Sequence, residues 1–205
     1  MPDAGLARRE AIRHDGPAKE RAIRLLWQLD EAPDEPRQDC LYAVLDAARD
    51  ARIYPGLRRL ANTDQVLPLY QGAAATELAA VAPYLVCLGS TNRVFDWIWG
   101  QGWGESWGIF VWSLVTAEAL RAHFRRLTMV RTEDGARLLF RFYDPRVLLP
   151  FLQTCDPTQL REMFGPILSY SAEAGEGAAV ARLSLTVSAS STNDAGMSAR
   201  VSPIY

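Results

Sequence analysis

The chain has 205 residues, of which 49% are hydrophobic and 22% are charged, and its formal net charge at pH 7 is −2. This length and composition predict one main domain with a sizeable buried core. The nearly balanced charge argues against a general nucleic-acid-binding protein, because such proteins carry a strong basic excess.

The N-terminal part of the chain divides into two predicted segments. Residues 1–16 are polar, and we expect a disordered or frayed N-terminus. Within the segment 17–38, apolar residues at helical spacing predict a helix over residues 17–30, and a linker with two prolines follows. The main domain is predicted to occupy residues 39–166.

Strand-like and helix-like runs alternate in the first two thirds of this domain, which predicts α/β organisation with helices flanking a mixed sheet. An α+β arrangement is the alternative. We expect strands at residues 40–45, 67–70, 83–88 and 109–113, and helices at residues 57–60, 76–80 and 92–99.

A further helix is predicted after Thr116, whose side chain is expected to cap it. Its apolar stripe of Leu120, Phe124 and Leu127 marks the inner face. The stripe leaves His123 and the Arg125-Arg126 pair on the outer face, where such charges are usually solvated. The alternative is that these three side chains grip an acidic partner segment.

The pattern changes to antiparallel structure near Glu133-Asp-Gly135. Asp-Gly between the apolar runs 127–131 and 136–143 predicts a hairpin. Asp144 is expected to cap the next helix, and Pro145 suits its first position because the missing donor would have had no partner there.

The C-terminal part is predicted to add a small lobe. We expect helices at residues 145–153 and 158–164, the second stopped by Gly165-Pro166. A strand pair is predicted within residues 167–187. Residues 188–205 are rich in Ser, Ala and Asn, and we expect a flexible tail.

The sequence predicts a cytoplasmic protein without membrane insertion, metal or cofactor. Its start lacks the apolar stretch of a secretory signal, and no apolar run reaches the ~18 residues of a membrane span. Cys40, Cys87 and Cys155 are isolated and form no C-x-x-C pair, which favours free thiols in a reducing compartment. Neither His14 nor His123 has a Cys or His neighbour at metal-ligand spacing.

Gly104-Glu-Ser-Trp-Gly108 matches the G-x-S-x-G pattern of α/β-hydrolases, with Ser106 as the candidate nucleophile. That fold needs a strand before the serine and a helix after it, whereas a strand-like run follows Ser106 here. The nearby glycines form neither of the two glycine-rich phosphate-binding patterns, G-x-x-x-x-G-K-[ST] or a G-x-G-x-x-G that follows a strand. We therefore predict no catalytic residue, and an uncharacterised hydrolase-like enzyme using Ser106 stays as the alternative.

Five of the six tryptophans lie between residues 97 and 112. Core packing is the default for large aromatic side chains, although tryptophan is also enriched among interface anchors. Trp99 and Trp103 lie beside glycines in a predicted loop, so they are our candidates for a partner-binding surface.

Arg141 and Arg146 flank the predicted strand-to-helix junction. Arg141 lies among apolar residues and would need a carboxylate partner if buried, for which Asp144, Asp46 and Asp96 are available. A structural ion pair is the first interpretation of Arg141, and binding to a partner is the second. Arg146 is a candidate for partner binding as well.

The sequence of this junction also resembles that of a known protein family. Its phrase Leu138-Leu-Phe-Arg-Phe-Tyr-Asp-Pro-Arg-Val-Leu148 resembles a signature of the type VI secretion effector-adaptor family, the Tap or TEC chaperones, also classed as domain of unknown function family 4123. Other phrases agree in order: Leu41-Tyr-Ala-Val-Leu-Asp-Ala-Ala-Arg49, Ala82-Pro-Tyr-Leu-Val-Cys-Leu88, Trp107-Gly-Ile-Phe-Val-Trp-Ser113, Leu120-Arg-Ala-His-Phe-Arg-Arg-Leu127 and Phe164-Gly-Pro166.

The resemblance covers roughly residues 40 to 166. It implies a non-catalytic bacterial adaptor, a cytoplasmic chaperone that binds a secreted effector protein and loads it onto the spike-tip (VgrG-type) protein of a type VI secretion apparatus. It carries over no catalytic residues.

Overall fold

The computed structural model describes residues 4–29, 41–60, 66–88, 93–131, 135–187 and 195–204. The helices are α1 (Ala4–His14), α2 (Gly16–Leu26), α3 (Ile53–Leu60), α4 (Ala73–Glu77), α5 (Arg93–Gly102), α6 (Ala117–Leu127), α7 (Pro145–Thr154) and α8 (Pro157–Phe164), with a 3-10 turn at Ala79–Val81. The strands are β1 (Leu41–Asp46), β2 (Val66–Pro68), β3 (Pro83–Cys87), β4 (Gly108–Ser113), β5 (Met129–Arg131), β6 (Arg137–Leu139), β7 (Ile167–Ala174), β8 (Ala179–Val187) and β9 (Ala195–Pro203).

Seven of these strands form one sheet in the order β2-β3-β1-β4-β7-β8-β9. Every neighbouring pair in it is antiparallel. Strands β5 and β6 form a separate antiparallel hairpin, as the Asp-Gly signal predicted. The prediction of an α/β protein with helices flanking a sheet is confirmed, although the pairs among the described strands are all antiparallel instead of mixed.

The sheet separates two hydrophobic layers. The first layer contains buried side chains from α1, α2, α3 and α5, and the second contains those of α6, α7 and α8. Strand β1 contributes side chains to both layers, since successive side chains of a strand point to opposite faces. Leu41, Ala43 and Leu45 pack in the first layer, whereas Tyr42 and Val44 pack in the second.

The two chain ends are more ordered than the sequence suggested. The polar N-terminus contains α1, whose Ile12 is fully buried in the first layer. Residues 195–203 form β9 instead of a flexible tail, and the predicted strand pair of residues 167–187 is present as β7 and β8. Because β7 pairs with β4, this pair continues the main sheet. Residues 30–40, with the predicted linker, lie outside the described residues.

The junction before α7 is a turn and not a continuous strand. Strand β6 ends at Leu139, and the Asp144 N–H donates to the carbonyl of Arg141 at 3.0 Å. The chain therefore leaves the hairpin, turns, and enters α7 at Pro145. No helix of the described ranges is long and apolar enough to cross a membrane.

Candidate partner-binding surface

The turn before α7 places a carboxylate at the start of the helix. Asp144 has extended backbone, its side chain accepts from the Arg146 N–H at 3.0 Å, and Pro145 takes the first helical position. The predicted cap is therefore confirmed. Asp144 is only 3% exposed, so its charge needs partners besides the helix N–H.

Arg146 supplies the main partner. Its Nε donates to Asp144 Oδ1 at 2.9 Å and its Nη2 to Oδ2 at 2.6 Å, which is the bidentate geometry that guanidinium and carboxylate favour. Burial acts to raise the pKa of Asp144, but the hydrogen bonds and charge of Arg146 outweigh it and lower that pKa. The Arg146 side chain remains 54% exposed.

Arg141 joins the same cluster from the other side. Its Nη2 pairs with Asp46 Oδ2 and lies 3.8 Å from Asp144 Oδ2. Asp46, the last residue of β1, is 2% exposed, and its other oxygen accepts from the Ala48 N–H at 3.1 Å. The first interpretation of Arg141, a structural ion pair, thus describes the observed contact, while its binding of a partner stays a prediction.

These four side chains form what we call the arginine–aspartate cluster: Asp46, Arg141, Asp144 and Arg146. Two buried carboxylates hold two half-exposed guanidiniums, whose side chains are 42% and 54% exposed. A guanidinium has five N–H donors, and the bonds to the carboxylates use one or two of them on each arginine. The cluster can therefore present fixed donors to a carboxylate or carbonyl of another protein.

Trp99 and Trp103 occupy different places from those predicted. They are 2% and 1% exposed, and both rings belong to the first hydrophobic layer. Each indole N–H has a backbone acceptor, the carbonyl of Arg13 at 3.0 Å for Trp99 and that of Gly177 at 2.8 Å for Trp103. Their expected position on a surface loop is wrong. Trp99 lies within α5, and Trp103 lies in the turn after that helix, where its hydrogen bond to Gly177 holds the ring inward.

The outer-face assignment on α6 is confirmed for Arg126, which is exposed, and is wrong for His123, while Arg125 is half-buried. His123 is buried, with Nε2 at 3.1 Å from the Met163 carbonyl oxygen and Nδ1 at 3.3 Å from Arg126 Nη2. Burial lowers the pKa of His123. Arg125 donates to the carbonyls of Leu69 and Tyr70, each at 3.2 Å, so it holds the segment after β2 against α6.

The G-x-S-x-G segment binds a carboxylate of the chain itself. The backbone N–H groups of Gly104 and Ser106 donate to the two oxygens of Glu173 on β7, each at 2.6 Å. Gly104 and Ser106 have φ of 84° and 57°, and this left-handed backbone lets nearby N–H groups converge on one anion. Burial raises the pKa of Glu173 to about 7, although these two hydrogen bonds act to lower it.

This geometry does not make Ser106 a nucleophile. Helix α5 precedes the segment and β4 follows it, the reverse of the order in a nucleophile elbow. The segment packs on the first layer through Trp103 and Trp107, whereas His123 lies on α6 beside the second layer. The sheet thus separates Ser106 from His123, the histidine that follows it in the chain and would have to act as its base in a hydrolase.

Sequence reasoning missed Glu173, and the signal available was a lone acid in a strand of small and apolar residues.

Cys87 and Cys155 are free thiols, while Cys40 lies outside the described residues. Within the described ranges no three His, Cys, Asp or Glu side chains are grouped so that they could hold a metal ion.

More than half of the chain matches one known protein family. Residues 41–162 match the family described as "Domain of unknown function (DUF4123)". The chain belongs to this family. The match begins at β1 and ends within α8, so it includes all four residues of the arginine–aspartate cluster.

One relative of this DUF4123 protein is the accessory protein VasW of Vibrio cholerae serotype O1. The two are 30% identical over 121 residues, which are 58% of this chain and 40% of VasW. The aligned part thus spans less than half of that relative. No solved structure matches the chain.

Proposed function

We propose that this DUF4123 protein is a non-catalytic adaptor of type VI secretion. It binds an effector in the bacterial cytoplasm, keeps the effector soluble, and loads it onto the spike-tip (VgrG-type) protein. The observation that carries the proposal is the family match over residues 41–162, together with a relative whose name describes it as an accessory protein. Apart from Phe164-Gly-Pro166, the sequence phrases that resemble the effector-adaptor chaperones lie within the same residues.

The arginine–aspartate cluster is the proposed contact for one of the two partners. Its guanidiniums are held in place by buried carboxylates, so little side-chain entropy is lost when they bind. Arginine is enriched at protein interfaces, where its planar group suits carboxylates and backbone carbonyls. Arg146 is the residue to test because its side chain is the more exposed of the two. Its removal leaves the buried Asp144 without its main partner, so the folding of each Arg146 variant is first checked by circular dichroism.

The test is co-expression with the product of the gene immediately downstream, followed by affinity capture and size-exclusion chromatography. The same purification is repeated with the local spike-tip protein. A co-eluting complex that keeps the downstream product soluble is the expected result. Failure of the chain to bind either protein would overturn the adaptor function.

Two variants connect the complex to the cluster. Arg146→Glu reverses the exposed charge and is expected to weaken the affinity for one partner by about tenfold or more. Arg93→Glu makes the same charge change at the exposed start of α5 and is the matched control. If Arg146→Glu binds both partners with unchanged affinity, Arg146 is not part of either interface. Ser106→Ala is expected to leave binding intact.

A further inference from the structure

A groove between α3 and α5 holds the one exposed ring of the tryptophan-rich segment. Of the five tryptophans between residues 97 and 112, Trp97 alone is not buried. The groove has a volume of about 390 Å³, and it is lined by Arg52, Pro55, Gly56, Arg59, Trp97 and Gln101. The aromatic signal that the sequence contains therefore reaches the surface at this groove, and not at Trp99 or Trp103.

The ring of Trp97 is held in place before any partner binds. A Cβ on Gly56 would lie 2.2 Å from Trp97 Cζ2, so the ring rests directly on the backbone of α3. The centroid of the buried Trp107 ring is 5.0 Å away. A ring fixed in this way loses little conformational entropy when a partner covers it, and tryptophan is enriched among the residues that dominate binding energy.

Two arginines of the groove differ in how their charge is compensated. Arg52, just before α3, pairs with Asp50, with Nη2 at 2.6 Å from Oδ2, and it also donates to Gln101 Oε1 at 3.2 Å. Arg59, in the last turn of α3, is exposed, and no described residue forms an ion pair with it. The charge of Arg59 is therefore available to a ligand in the groove.

The chain around the groove has a local excess of positive charge. Residues 49–59 contain four arginines and one aspartate, a formal charge of +3, whereas the whole chain has a net charge of −2. Arg49 donates to the backbone carbonyl of Glu105, and Arg58 donates to the hydroxyl of Tyr54, so both acceptors are uncharged. The excess thus persists in the folded protein.

Two acidic side chains of neighbouring elements already have other partners. Asp96 on α5 pairs with Lys19 of α2 at 2.8 Å, and Glu105 after α5 pairs with Arg13 of α1 at 2.8 Å. A ligand that is complementary to the groove therefore brings its own carboxylates. It also brings an apolar side chain, because the exposed part of Trp97 is covered best by apolar surface.

We propose that the groove between α3 and α5 binds an acidic segment of the effector, which places an apolar side chain on Trp97 and a carboxylate beside Arg59. This assignment rests on the proposed adaptor function. The effector is the partner because keeping it soluble requires contact with its apolar surface, which the groove provides and the arginine–aspartate cluster does not.

The two proposed sites lie on different sides of the sheet. Helices α3 and α5 pack in the first layer, whereas α7, which carries Arg146, packs in the second. The effector and the spike-tip protein therefore do not compete for one face of the chain, as loading of one onto the other requires.

The experiment uses the full chain and the downstream gene product, with binding measured by titration calorimetry. Arg59→Glu removes no ion pair, so it should fold, and it is expected to weaken binding by about tenfold or more at low salt and less at high salt. Arg21→Glu makes the same charge change at an exposed position of α2 outside the groove and should bind like the wild type. Trp97→Ala is expected to weaken binding by about tenfold or more, after circular dichroism has confirmed its folding.

Fluorine NMR of the wild-type chain labelled with fluorotryptophan gives a second readout. Addition of the downstream product should shift the resonance of Trp97, which Trp97→Phe assigns by its disappearance. The resonance of Trp103, whose ring is buried, should change little. This measurement tests the groove even if Trp97→Ala does not fold.

Each outcome decides between distinct statements. If the wild-type chain binds neither the downstream product nor the spike-tip protein, the adaptor function fails and this assignment fails with it. If the wild-type chain binds the downstream product and Arg59→Glu binds it equally well, with no shift of the Trp97 resonance, only the groove assignment is overturned. If Arg21→Glu weakens binding as much as Arg59→Glu, net charge and not the groove attracts the effector. If Arg59→Glu loses the spike-tip protein and keeps the downstream product, the effector assignment is wrong.

Discussion

Glu173 offers a quantitative test of how the G-x-S-x-G segment is held. Burial raises the pKa of this carboxyl from 4.5 to about 7 in the folded protein. The unfolded chain releases the proton near pH 4.5, whereas the folded protein keeps it until about pH 7. Between these values the folded state binds more protons, so stability falls as pH rises.

The magnitude follows from the difference between the two pKa values. One pKa unit corresponds to about 1.4 kcal/mol, so Glu173 lowers the free energy of unfolding by about 3 kcal/mol between pH 4.5 and pH 7.5. Glu173→Gln cannot ionise, so this contribution to the pH dependence disappears. The glutamine still offers one oxygen to the N–H groups of Gly104 and Ser106, but its amide group faces the second N–H without accepting from it.

The assay is urea denaturation at several pH values between 4.5 and 7.5, with the wild type and the variant compared at each. Their difference isolates Glu173 because all other titrating groups are common to both proteins. Glu162→Gln, an exposed glutamate on α8, is the control and should follow the wild type. Parallel curves for wild type and Glu173→Gln would refute the reasoning.

Three further predictions concern the backbone and the cap. Asp144→Ala should destabilise the protein by about 1–2 kcal/mol through loss of the α7 cap, measured by urea denaturation; no change would contradict the cap's role. Gly108→Ala should prevent folding, because a Cβ there would overlap the Val44 carbonyl on β1, whereas Gly100→Ala has open space and should yield folded protein by circular dichroism. Ser106→Gly should raise the free energy of unfolding by up to about 1 kcal/mol, since glycine relieves the left-handed φ of 57°; a loss of stability would show that the side chain matters.

The elements that sequence patterns located well are those with local signals. Thr116 accepts from the Ala119 N–H and begins α6, as expected from a capping residue before an apolar stripe. Asp156 forms a capping box with Gln159 at the start of α8, and Gly165 ends that helix with φ of 47°. Such features depend on neighbours in sequence, so the sequence alone specifies them.

The elements that were missed depend on distant partners. Strand β9 contains small and polar residues of low strand propensity, and it is a strand because β8 pairs with it along its full length. Part of the candidate site was left open or missed for the same reason. Asp46 was one of three candidate partners of Arg141, and the sequence could not choose among them because the contact joins residues 95 apart. The burial of Trp103 was missed because it depends on Gly177 and the first-layer helices.

His123 shows a limit of helical periodicity. It lies off the apolar stripe of α6, which predicted exposure, but the turn after α8 covers it. A Cβ on Gly165 would collide with the His123 ring, so a glycine far along the chain creates the space for this histidine. Periodicity within one helix does not include such coverage by a later element.

The seven-stranded sheet has a consequence for truncating the chain to its family match, residues 41–162. Residues 41–162 contain only the β2-β3-β1-β4 half of that sheet. A fragment with these limits would expose the backbone edge of β4 and lose Tyr170 from the second layer and Ile12 and Leu26 from the first, all three of them fully buried. The minimal folding unit is therefore larger than the recognisable family segment, and truncation to that segment should yield aggregation in place of a smaller active protein.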